Sequence, residues 1–140
     1  MPLYANAERY AKAHPTRDGG PWKGYCASLM YRMCEWLGKA PTKVPIDADA
    51  AATAAGVLNK EWRKAPIGAF HYWSIGEYGH VGLDLKGAGT TVFMASTHCT
   101  TKWNKAGDLG WISIPKYYTA SKAKYLGWSM KYGNNGKITK

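Results

Sequence analysis

The apolar positions Leu29, Met30, Met33, Trp36 and Leu37 recur at spacings of one, three and four and predict a helix over residues 25–37. Gly38 and then Pro41 end it, a glycine stop with a proline beyond. Ahead of it, residues 4–13 predict a short helix, which "AHPTRDGGPW" breaks with two prolines and two glycines. Behind it, Asp47 or Asp49 can cap a third helix through the alanine-rich "AAATAAGVLNKEW". Gly56 weakens that helix and Pro66 stops it.

The period then changes to two. In "HVGLDL" (80–85), Val81, Leu83 and Leu85 share one face, while His80, Gly82 and Asp84 share the other. Further strands are predicted at 68–75, 90–97, 110–114 (ended by Pro115) and 125–132, with "KGAG" (86–89) as a tight turn. Helices followed by a meander of strands define an α+β fold with an antiparallel sheet. The 140 residues suit a single domain over 1–140, with 133–140 as a tail or linker and "GNNGK" within it as a turn or a loose tail.

Composition narrows the function. At 46% hydrophobic residues a core is attainable. No run of about 18 apolar residues can span a bilayer, so no stable membrane association is expected. The N-terminus carries no secretory signature, which predicts synthesis in a cytoplasm. A net charge of +10 favours a polyanionic partner: nucleic acid, an anionic cell wall or a membrane surface. Seven Trp and ten Tyr suit clefts and wet contacts, because each joins an apolar body to a polar tip. An odd count of three cysteines without a secretory signature argues against a disulfide framework, and the absence of a CxxC pair with four scattered histidines argues against a zinc site. No metal or other cofactor is expected, nor any RNP-like, zinc-finger or helix-turn-helix signature for nucleic acid.

One constellation carries chemistry. Cys26 falls in the first turn of the second predicted helix, behind Gly24. A helix start favours thiolate, and its unbonded amides can steady an oxyanion. Cys34 lies mid-helix and is expected to be an inert core thiol. His80, opening a strand, is the candidate base. If the hairpin turns at 87–89, paired residue numbers sum to about 175 or 176, which puts Ala95 or Ser96 opposite His80. Ser96, or diagonally His98, could then orient the imidazole, whereas Asp84 lies too far along the strand. His71 reads as structural or cleft-lining and His14 as part of a loop. Trp22, Tyr25, Trp73 and Tyr78 are the expected substrate contacts.

"GYCASLMYRM", "PIGAFHYW", "GHVGLDL" and "TTVFMAST" together resemble the papain-like hydrolases of the CHAP and NlpC/P60 type, over roughly residues 20 to 100. "TTVFMASTHCT" with the later "YLGWSMKYG" is most similar in style to catalytic domains of endolysins from phages of actinobacteria. The resemblance implies a cysteine peptidase or amidase that cleaves an amide of peptidoglycan, as a monomer, after release through a holin-type pore. It implies that Cys26 is the nucleophile, His80 the base, and Ser96 or His98 the orienter. Pro66-Ile67-Gly68-Ala69 departs from the family pattern by lacking an acid after the glycine. The bond stays open between a stem-peptide or cross-bridge amide and muramoyl–L-alanine. Two other expectations stand beside it: an antibacterial amidase toxin of the same fold, and a non-enzymatic basic domain that binds wall polymer or nucleic acid.

Overall fold

A computed structural model describes residues 2–138. The helices are α1 (Leu3–Ala13), α2 (Cys26–Trp36), α3 (Ala48–Ala55) and α4 (Ile114–Ser121). The strands are β1 (Phe70–Ser74), β2 (His80–Asp84), β3 (Val92–Ala95), β4 (Thr101–Lys102), β5 (Leu109–Ile112) and β6 (Lys124–Ser129). All six form one antiparallel sheet in the order β4-β5-β3-β2-β1-β6. The architecture is α+β, with three helices before the first strand.

The local patterns act as expected in α1 and α2. Leu29, Met30, Met33 and Cys34 turn one face of α2 fully inward, whereas Trp36 stays 39% exposed. Burying each such large side chain contributes about 1.5–3 kcal/mol, so Leu29→Ala would cost about 2–5 kcal/mol once the cavity is included. Asp47, not Asp49, caps α3: its Oδ1 accepts the Ala50 N–H at 2.8 Å. The helix is shorter than predicted. Gly56, at φ +88°, ends it, and Asn59 then exchanges two backbone hydrogen bonds with Trp128 in a strand-like bridge.

The strands do not form a simple meander. β6 returns to the free edge of β1, and β5 pairs with β3. α4 was not predicted: Pro115 reads as a strand stop, yet it sits in the first turn of a helix capped by Ser113, where a missing N–H costs nothing. Of the two readings of "GNNGK", the turn forms, over residues 133–135, and the loose tail does not. Tyr132 bridges Gly136, Asn135 Oδ1 accepts the Thr42 N–H at 2.8 Å, and Ile138 is buried. The last two residues of that predicted tail, 139 and 140, lie outside the described residues.

Alternation gives the sheet two covered faces. Phe70, Tyr72, Val81, Leu83, Phe93 and Leu109 pack with α1, α2 and α3. Trp73, Val92, Met94 and Ile112 pack with Ile114 and Tyr117 of α4. The β2–β3 hairpin takes the register that sums to 176, with Leu83 opposite Phe93 and Asp84 opposite Val92. That choice puts Val92 and Met94 on the face that His80 and Asp84 share by alternation, the face packed against α4.

Candidate functional site

The loop before α2 is held from a distance. Asp108 Oδ2 accepts the N–H groups of Trp22 and Lys23 at 3.0 and 3.1 Å, and Asn104 Nδ2 donates to Asp108 Oδ1 at 2.7 Å. Tyr132 donates its hydroxyl to the Ala27 carbonyl at 2.7 Å. These bonds set the first turn of α2, and with it Cys26, against β2. The Cys26 thiol points at the Gly79 carbonyl, 3.8 Å away. Gly79 immediately precedes His80, so the nucleophile candidate touches the backbone one residue before the base candidate.

A groove of about 400 Å³ opens over Cys26. Tyr25, Ser28, Ile46, Asp47 and Tyr78 line it. Tyr25 and Tyr78 are 44% and 58% exposed, and the Arg17 guanidinium lies 3.5 Å over the Tyr25 ring. Cys26 itself is only 7% exposed. Burial pushes its pKa up to about 11, against a smaller opposing effect of the Val81 and Ala27 amides. At neutral pH it is a thiol.

His80 does not line this groove. Its ring stacks on Tyr117 at 5.0 Å and 22°, and meets Trp73 at 5.6 Å. Burial, with the nearby His98 adding to it, pushes its pKa down to about 3, so the imidazole is neutral. Its Nε2 lies 3.2 Å from Met94 Sδ. Among the described residues no hydrogen bond joins Cys26 to His80: alternation sends the ring to the α4 side while α2 covers the other.

The expected orienters do not hold the imidazole. Ser96 Oγ accepts the His98 N–H at 3.0 Å, and the exposed His98 ring lies 6.2 Å from Tyr117. Neither bonds His80. Trp22 and Trp73, expected to contact substrate, are each 1% exposed and belong to the core. Trp22 spends its indole N–H on the His14 carbonyl at 2.9 Å. Cys34 is buried as expected, and His71 is structural, bonded to Asp84 at 2.8 Å and Tyr125 at 2.7 Å.

Sequence reasoning missed Met94, Tyr117 and Asp108. The register that makes Ser96 a neighbour of His80 makes Met94 a diagonal neighbour on the same face, so that signal was present. Tyr117 lies on the unpredicted α4, and nothing local marks Asp108 as buried.

All three cysteines are free thiols. Among the described residues, no three His, Cys, Asp or Glu side chains cluster so as to hold a metal ion, and no helix is long and apolar enough to cross a membrane. Comparisons with models of known families, with curated proteins and with solved structures return no match to this chain.

Proposed function

We propose that the protein is a cysteine amidohydrolase of peptidoglycan, similar in chemistry to the catalytic domains of phage endolysins. One observation carries the proposal: Cys26 opens α2 at the floor of a groove and touches the backbone one residue before His80. The first amides of α2 have no acceptor within the helix, and such amides can serve an oxyanion. The aromatic walls at Tyr25 and Tyr78 and the net charge of +10 suit a peptide borne on an anionic polymer.

In this mechanism His80 takes the Cys26 proton as sulfur attacks the amide carbon. It returns that proton to the leaving amine as the C–N bond breaks. Water then cleaves the thioester, giving a carboxylate and the free thiol. The pair starts neutral and unbonded, so His80 must reach the sulfur once substrate fills the groove. Catalytic hydrogen bonds often tighten only in that complex.

The test is release of new amino groups from purified actinobacterial peptidoglycan, with mass spectrometry of the fragments naming the bond. Cys26→Ser should abolish release, and His80→Ala should lower it by about 10²–10⁴-fold, both in folded protein. Release by Cys26→Ser at the wild-type rate would overturn the proposal. The resting state, a thiol and a neutral imidazole without a bond between them, favours one alternative: a non-catalytic binding domain. It predicts salt-sensitive wall binding that survives Cys26→Ala, with no amine release.

A further inference from the structure

The environment of the His80 ring is more specific than a core histidine needs. Nε2 lies 3.2 Å from Met94 Sδ, and among the described residues no other side chain hydrogen-bonds the ring. Met94 is fully buried in β3, its carbonyl receiving the Cys99 thiol at 3.7 Å. It stands beside Gly82: a Cβ at Gly82 would lie 3.5 Å from the Met94 Cβ. Tyr117 and Trp73 hold the plane of the ring.

A thioether has lone pairs and no proton to give. Against it, Nε2 is comfortable only when it carries the hydrogen; otherwise two lone pairs face each other. A neutral imidazole has one N–H, so Nδ1 is then bare. Nδ1 is the ring nitrogen bonded to Cγ and so the nearer to the backbone, which at Gly79 meets Cys26.

We infer that Met94 is a positioning residue for His80, its thioether accepting the Nε2–H and leaving Nδ1 as the basic nitrogen. Its use in catalysis rests on the hydrolase proposal; the tautomer itself does not. A sulfur thus does the work expected of Ser96 or His98.

The test is ¹⁵N NMR of the histidine rings in the full chain at neutral pH, with His80 assigned by its loss in His80→Gln. Wild type should show the proton on Nε2. Met94→Leu, which keeps the volume, should lower the Nε2–H to Nδ1–H ratio about fivefold, the size of one modest hydrogen bond. Met94→Gln, whose amide oxygen can accept, should restore it. If the leucine variant does not fold, replacing methionine by norleucine removes the sulfur with the shape kept. A wild-type proton on Nδ1, or a wild-type ratio in a folded sulfur-free variant, would overturn the inference. On peptidoglycan, Met94→Leu should lower kcat with KM unchanged. The expected tautomers together with no amine release from wild type would sink the hydrolase proposal and leave the role of Met94 standing.

Discussion

His71 Nε2 lies 2.8 Å from Asp84 Oδ2, and neither residue is exposed at all. The other ring nitrogen meets the Tyr125 hydroxyl at 2.7 Å. Asp84 also accepts the backbone N–H groups of Lys86, Gly87 and Gly89. One carboxylate therefore ties β1 to β2 and closes the hairpin turn, while His71 extends the tie to β6.

Removing that carboxylate leaves the buried Gly89 N–H and His71 ring, and the part-buried Lys86 and Gly87 N–H groups, without their partner. Asp84→Ala should cost about 3–5 kcal/mol, read as a lower midpoint of urea unfolding at neutral pH. Asp84→Asn keeps one oxygen and should cost less. A loss below about 1 kcal/mol for Asp84→Ala would mean that the turn is held by its backbone alone.

His80 makes stability fall in acid. Its folded pKa, pushed down to about 3 by burial, lies below the ordinary 6.5. Below pH 6.5 the unfolded chain binds a proton that the folded one refuses. Stability from this group is complete above about 6.5 and is lost as pH falls towards 3. The slope approaches about 1.4 kcal/mol per pH unit. Urea midpoints measured from pH 6.5 down to 4 should fall less steeply in His80→Gln, by about one proton.

The buried thiols act in the opposite range. Burial pushes Cys26 up to about 11, and Cys34 and Cys99 up to about 12, each from 9.0. Above pH 9 the unfolded chain releases thiol protons that the folded one keeps. Stability complete below pH 9 is therefore lost as pH rises through 11 and 12. Cys34→Ala should reduce the alkaline slope by about one proton, or about 1.4 kcal/mol per pH unit. An unchanged slope would show that Cys34 ionises equally in both states.

Gly82 connects packing to the site. A Cβ there would come within 2.7 Å of Val92 Cγ1, 3.0 Å of the Phe93 carbonyl oxygen and 3.5 Å of the Met94 Cβ. Gly82→Ala should cost about 1–3 kcal/mol in thermal or urea unfolding, as overpacking does. Stability equal to wild type would show that β2 and β3 part without penalty.

What the sequence determined by itself is whatever neighbours along the chain decide. The spacing of Leu29, Met30 and Met33 makes α2, with Cys26 at its start. Alternation in "HVGLDL" sets β2 and puts His80 on the face away from Val81 and Leu83. "KGAG" sets the hairpin to within one residue of register. Tertiary structure decided the rest. Whether β6 pairs with β1 depends on which sheet edge stays unpaired, and no window of sequence holds both strands. Trp22 and Trp73 are core because of what covers them, although their side chains are equally suited to a cleft. Likewise, the partner of His80 is Met94 rather than Ser96 or His98. Ser96 is taken by its own turn, and Met94, beside Gly82 on the same face, brings its sulfur to 3.2 Å from the ring. Periodicity chooses the face of a strand, but burial and space choose which atom on that face meets the ring.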